Sequence, residues 1–406
     1  MRWLFAVSVM GCLLGSALAA QEPEGRAPSL DELRVLARRD SNDAVVQYQL
    51  GVALWDRKRW DEAEQAFRDA LVVAPSYADA HLALGILPQR RGAGYWKGRL
   101  RKDGEARVRT ELLESEAHYR RALLLNPLVD LRLMGKVESP EAGFYRVGNR
   151  VVMVLAPWWS GDLARCANQL REGDYWKAFE KLQQLEADSR FGGQDVDVAG
   201  PVLELHGLAA AHLNRFDEAI RDFAILTGRA LSRESDSTAE LASPLRSNDY
   251  RFILATLLYL ASRYDQAVPT FQRALELDVG LYVAHVQLAR IYEADGQLEE
   301  ALRERQAAVD AAPDDPDVLV DLAGTLLKAG RIAEAESPLE EAARINPRDP
   351  RIAYLQGAVA DRLGQAERAR TAYTRFLGLA PSRFAPQIEE VRLHLAGGSP
   401  SQPPRR

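Results

Sequence analysis

Cysteine is almost missing from this chain of 406 residues, which has two, Cys12 and Cys166. Cys12 falls in an apolar leader, so Cys166 stands alone in the remainder, and a lone thiol forms no internal disulfide. Folding must rest on burial of apolar surface, which 47% hydrophobic and 27% charged residues allow. Histidine is scarce too: the six are His81, His118, His206, His212, His285 and His394. No pair has the His-Glu-x-x-His spacing and none forms a metal motif with Cys166. His206 and His212 are expected on different helix faces, and His81 and His285 hold the same early helix position, which favours packing. There is no Gly-x-Ser-x-Gly elbow, and Gly92-Ala93-Gly94 is neither preceded by a strand nor followed by Gly-Lys-Ser/Thr. Acidic pairs such as Glu299-Glu300 and Asp314-Asp315 suit helix starts, where they favour the macrodipole. The expectation is no enzyme, no catalytic set, no metal and no cofactor. Only the irregular stretch 130–200 leaves room for a hidden active site. A net charge of −6 argues against nucleic acid as partner.

Long apolar runs are missing as well, with one exception. Arg2 precedes an uncharged stretch from Trp3 to Ala20 that contains Ala17-Leu18-Ala19. This is the pattern of a secretory signal peptide, residues 1–19, cut after Ala19. An uncleaved anchor is the alternative, but the run is short for a hydrocarbon core of ~30 Å, and Gln21-Glu22-Pro23 follows at once. A lipoprotein box at Val9-Met10-Gly11-Cys12 would place its cysteine early, with apolar sequence continuing after it, so a lipid-anchored form is not expected. The chain is expected to be exported to the periplasm.

What is plentiful is a beat. Ala267, Ala301, Ala335 and Ala369 each follow the last by 34 residues, and Gly296, Gly330 and Gly364, then Pro313, Pro347 and Pro381, keep the same interval. In 282–315, 316–349 and 350–383, apolar residues recur three and four apart through one helix, glycine ends it, and a second amphipathic helix follows. Proline then stops the unit. The alanine lets two helices approach closely. Single units cannot bury their apolar faces, so stacking must supply the core.

These positions resemble the tetratricopeptide repeat. Residues 44–77 match it nearly throughout, with Leu50-Gly51, Ala63, Phe67, Ala70 and Pro75, and residues 248–281 carry Leu254-Ala255, Ala267, Phe271 and Ala274. Weaker units keep Gly207, Ala219 and Phe223, and Cys166, Gly173, Ala178 and Leu182. Another is split between Leu84-Gly85 and Tyr119, Ala122 and Pro127. The resemblance implies an all-α fold, a right-handed superhelical solenoid of helix-turn-helix repeats, with a small β-hairpin-like insertion. The expected segments are a linker and capping helix (20–43), repeats with a basic insertion at 88–109 (44–129), and an irregular or hairpin insertion (130–160). Degenerate repeats (161–247), regular repeats (248–383), a capping helix (384–396) and a frayed tail (397–406) follow. Ser29-Leu30-Asp31-Glu32 has capping-box spacing and starts a helix to about Arg39. In the last helix Ile388, Val391, Leu393 and Leu395 are expected inward, and Arg392 and His394 outward.

The resemblance also implies a concave groove lined by the first helix of each repeat, binding a protein or peptide partner as a scaffold. Its residues here would be Tyr48, Val52, Trp55, Phe252, Tyr259, Arg290 and Tyr354. Tyr48, Phe252 and Tyr259 have a second reading as packing residues. The lysine/asparagine clamp of chaperone-binding members is missing, since Tyr48, Val52, Phe252 and Thr256 hold those places. Residues 88–109 carry eight basic side chains, among them Arg90, Arg91, Lys97, Arg99, Arg101 and Lys102, against Asp103 and Glu105. This segment is either a solvated loop or a contact for an anionic partner, such as an acidic peptide, a glycan or lipid headgroups. Phe144 to Val147, Gly148-Asn149 and Arg150 to Leu155 read as two strands around a type II′ turn. Trp158 and Trp159 then either plug a gap in the stack or grip a ligand. The sequence names neither the partner nor the oligomeric state.

Overall fold

A helix needs four orphan N–H groups satisfied at its start and a way to reverse at its end, and this chain solves both repeatedly. The computed structural model describes residues 28–128, 143–147, 150–154, 160–187, 200–233 and 247–396. Two compact units result, one from residues up to Asn126 together with those from Gly280 onward, the other Pro127–Val279.

The first unit begins with α1 (Leu30–Arg39), α2 (Ala44–Asp56), α3 (Trp60–Val73), α4 (Ala78–Asp103) and α5 (Glu105–Leu125). It continues with α12 (Tyr282–Ala294), α13 (Leu298–Ala311), α14 (Pro316–Lys328), α15 (Glu336–Ile345), α16 (Pro350–Arg362), α17 (Ala366–Leu379) and α18 (Ala385–Leu395). The second unit holds β1 (Gly143–Val147) and β2 (Arg150–Val154), then α6 (Ser160–Arg171), α7 (Tyr175–Glu186), α8 (Gly200–His212), α9 (Phe216–Arg233), α10 (Ser247–Leu260) and α11 (Tyr264–Leu277). The strands pair antiparallel, from Gly143 opposite Val154 to Val147 opposite Arg150. The II′ turn expected at Gly148-Asn149, and Trp158 and Trp159, lie outside the described residues, as do the leader and the tail.

Each unit stacks antiparallel helix pairs, the all-α solenoid class that the period implies. The pairs touch where a small residue of the first helix meets a ring of the second. A Cβ placed on Gly51 would lie 2.4 Å from the Phe67 ring, one on Gly207 2.7 Å from Phe223, and one on Gly357 2.5 Å from Tyr373. Ala63, Ala267 and Ala301 are fully buried on the second helices, and Ala335 is fully buried in the 3-10 turn that leads into α15. In the second unit Cys166, Leu170, Phe179, Phe223 and Leu257 share one core. Burial pushes the Cys166 thiol up to about 11, as expected of a packed rather than a reactive cysteine.

First helices end alike. Gly296, Gly330 and Gly364 have φ of 78°, 77° and 73°, and the next residue donates back across the turn, as from Arg331 N–H to the Leu326 carbonyl at 2.9 Å. This is the Schellman reversal. Lys58, Asn214 and Ser262 hold the same left-handed conformation without being glycine. At the front, Ser29 forms the capping box with Glu32.

Two expectations need correction. Residues 88–109 do not form a loop between two helices of normal length. Helix α4 runs through Pro88 to Asp103, reverses at Gly104 (φ 82°), and α5 descends from Glu105. The inserted residues therefore lengthen both helices into one antiparallel hairpin. In α18, Ile388, Val391 and Leu395 do pack inward, but Leu393 is exposed and His394 turns in against Tyr373, its Nε2 3.2 Å from Asp361. Helical spacing explains this: His394 lies three residues after Val391 and shares its face, whereas Leu393 does not.

Because a left-handed conformation costs a non-glycine residue roughly 1 kcal/mol, Ser262→Gly should stabilise the protein by about that amount and Gly330→Ala should cost as much. Urea unfolding midpoints check both, and the two substitutions should move them in opposite directions.

Candidate partner-binding face

The first helices carry the side chains that the repeat directs to one face. In α2, Val45 is exposed and Tyr48 and Val52 are half-buried, whereas Trp55 is buried. Tyr48 packs between Phe67, at 5.7 Å between ring centroids, and Tyr77, at 5.2 Å. Trp55 meets Trp60 edge-on at 5.4 Å and also touches Phe67. Trp55 is therefore a core residue, which corrects its place among the groove side chains. Phe252 in α10 is likewise buried, 6.1 Å from Phe271, and Thr256 turns its hydroxyl to the Phe252 carbonyl at 2.9 Å. Tyr259 is half-buried beside Tyr264. In α16, Tyr354 is half-buried and donates to Glu390 of α18 at 3.3 Å, and burial pushes its hydroxyl up to about 12. What remains at least partly exposed is apolar to aromatic: Val45, Tyr48, Val52 and Tyr354 in the first unit, and Tyr259 in the second.

Arg290 is half-buried in a charged cluster on α12 to α14 that the sequence did not disclose. Arg305 sits where Phe67, Phe271 and Tyr373 sit in other repeats, and it is 1% exposed. A buried guanidinium must be paired. Its Nη1 donates to Asp321 at 2.8 Å, its Nη2 to Glu293 at 3.1 Å, and Lys328 reaches Glu293 at 2.5 Å. Burial alone would raise the Glu293 carboxyl, but Arg305 and Lys328 hold it below its ordinary value. Arg290 completes the cluster 3.9 Å from Asp321. These charges thus fill the place of a missing aromatic ring.

The basic hairpin divides into a paired base and a free end. Arg90 lies over the Trp55 ring at 5.5 Å, and Arg91 bridges Asp61 and Glu64, both at 2.6 Å. Arg99 pairs with Asp103 and Glu111. Only Lys97, Arg101 and Lys102 of the six named basic residues are exposed, and Leu100 stands among them, 45% exposed. Between α3, α4 and α5 lies a cleft of about 660 Å³ lined by Arg68, Arg91, Arg99, Glu111, Glu114 and His118, its charges largely paired with one another.

Two histidine clusters were also invisible. His81 and His118 bring their Nδ1 atoms to 2.7 Å, and His81 Nε2 meets the Pro75 carbonyl. Burial, with His118 and Arg121 nearby, lowers His81 to about 4. In the second unit, His206 Nδ1 lies 2.5 Å from Asp222, with Glu186 close by. Two carboxylates and an imidazole could suit a metal, but Arg221 donates to Glu186 at 3.0 Å and to Asp222 at 2.7 Å. The cluster contains its own cation.

Known proteins agree with this architecture. Family profiles described as tetratricopeptide repeat match residues 294–359 and residues 48–87, 204–281 and 254–316. The chain is a tetratricopeptide-repeat protein. No curated protein matches it. Among solved structures it is similar to the C-terminal part of a repeat-containing protein from Cytophaga hutchinsonii, at 14% identity and TM-score 0.47, over 58% of this chain and 86% of that one. It is also similar to YrrB, described as a TPR protein with an unusual peptide-binding site, at 20% identity and TM-score 0.34, over 49% and 88%. Yeast Tom70 aligns at 13% identity and TM-score 0.33, over 91% of each chain. The repeat architecture is that of a protein-interaction scaffold.

His81 gives a pH dependence with a defined sign. The unfolded chain binds its proton near pH 6.5, the folded one only near 4, so stability is intact above 6.5 and is lost as pH falls between these values. Unfolding free energy should drop by about 2 kcal/mol between neutral pH and about pH 5 through this residue, and His81→Gln should shrink that drop. Chemical denaturation at the two pH values measures it.

Proposed function

We propose that this protein is an exported scaffold of the cell envelope that binds a protein or peptide along the face made by its first helices. The observation that carries the reading is α2, where Val45, Tyr48 and Val52 lie on one face without burial deep in the core. A partly exposed apolar and aromatic helix face suits an extended peptide or the apolar side of a partner helix. Export rests on the leader sequence alone. The reading includes no catalysis.

A second reading is favoured by the hairpin end. Lys97, Arg101 and Lys102 surround an exposed Leu100, a combination that suits an anionic glycan or lipid headgroups. Salt separates the two: attachment through exposed cations weakens steeply as ionic strength rises, and attachment through the α2 face does not.

A photo-crosslinking residue placed at Val45 or Val52 should yield partner adducts in the native envelope. The same residue at Gln306, exposed on a second helix, should give none. Adducts from Gln306 alone would contradict the assignment of the face.

A further inference from the structure

The first unit contains a seam between distant parts of the chain. Turns that precede first helices in the N-terminal repeats meet turns that precede first helices in the C-terminal repeats. Asn42 donates to the carbonyls of Arg348, at 2.7 Å, and Leu379, at 2.9 Å. Asp43 faces Arg383 at 3.4 Å. Asn346 donates to the Val73 carbonyl at 3.1 Å. Ser76 donates to Asp315 at 3.1 Å, and Arg121 donates to the same carboxylate at 2.6 Å. Tyr282 donates to Asp315 at 3.1 Å from the C-terminal side, with Arg121 stacked 4.9 Å over its ring. As the N-terminal position advances from 42 through 73 and 76 to 121, its partner retreats from 379 through 346 to 315. The two repeat arrays therefore lie edge to edge and antiparallel.

This edge has a built-in electrostatic problem. The N-termini of α2, α14 and α16 point into it, each a partial positive charge. Asp43, Asp315 and Asp349 cap these helices by accepting from Val45, Asp317 and Arg351 N–H groups. Two of the three caps, Asp43 and Asp315, serve twice, because they also receive a donor from the opposite array. The contacts just named are polar and come chiefly from turns and single side chains. Among the described residues no helix of α1–α5 packs along a helix of α12–α18. By contrast, within each array helices lie side by side around buried apolar clusters.

We infer that the seam is a releasable clasp. The arm α1–α5 closes onto the edge of α12–α18 through hydrogen bonds and ion pairs, and it can open while both arrays stay folded. Water can replace each seam contact at little net loss, whereas it cannot replace the apolar packing within an array. Opening would free the edge beside Tyr48 and Tyr77. The partner-binding face of α2 would then exist in two states, closed and open. The inference stands whether or not α2 proves to be the binding face.

The test measures a distance across the seam. Spin labels are placed on cysteines at Val72 and Arg344, both exposed and flanking the Asn346–Val73 contact, in full-length protein carrying Cys12→Ser. Cys166 is buried and resists labelling. The unaltered seam should give one short, narrow distance. The combination Asn42→Ala, Ser76→Ala, Arg121→Ala, Asn346→Ala and Arg383→Ala removes the donors and cations that cross the seam, and leaves Asp43 and Asp315 to cap α2 and α14. It should move more than half of the molecules to a longer, broader distance while the far-ultraviolet helix signal is unchanged. An unaltered distance would overturn the inference, because the arm would then be held by something else. Loss of helix signal would overturn it equally, because the seam would then belong to the folding core.

Discussion

The repeats depend on one contact, the close approach of the second helix to a small residue on the first, and in three of them a ring leaves that residue no room for a side chain. At Gly51, Gly207 and Gly357 the facing ring already occupies the space a Cβ would need. The contact fixes how closely the two helices lie and therefore the pitch at which the next repeat stacks. Where the ring is missing, the cost is visible. Arg305 fills the aromatic place, and Glu293, Asp321 and Thr325 are drawn inward to pair with it. A buried cation so placed gives little net stability but ties α12, α13 and α14 together through directed bonds.

The long hairpin obeys the same contact. A Cβ placed on Gly85 would lie 2.7 Å from the backbone of Tyr119, although the two are 34 residues apart where Gly51 and Phe67 are only 16 apart. The insertion has been accommodated beyond the contact, with both helices growing outward and the packing inside left alone. This explains why the hairpin can carry exposed cations and an exposed leucine at its far end without disturbing the core.

Local features were legible in the sequence and distant ones were not. The alanine, glycine and proline beat located the regular repeats because close approach, left-handed reversal and helix termination each demand a residue type. Ser29 with Glu32 announced the first helix for the same reason. Pro88 and the glycines near it read as a loop, because proline ends units elsewhere in this chain, yet α4 continues through it. Trp55 and Phe252 occupy groove positions by register but are buried, since register gives a direction and not the size of the neighbours. Asp315 meeting Ser76, 239 positions away, and His206 meeting Asp222 are consequences of stacking that no local pattern encodes. On α2 the register gives the direction of Tyr48, Val52 and Trp55, and nothing in the chain names a partner.

The claim that close helix approach at the small-residue position governs the repeats is tested most directly by deleting Gly92–Arg109. Removing these eighteen residues returns Gly85 and Tyr119 to the separation of Gly51 and Phe67 and leaves Thr110 to start the second helix. Thermal unfolding followed by circular dichroism should show a helical protein that melts cooperatively near the temperature of the full chain. A deletion variant that is unfolded, or that melts without cooperativity, would mean that the hairpin itself holds the second repeat together, and the account would be wrong.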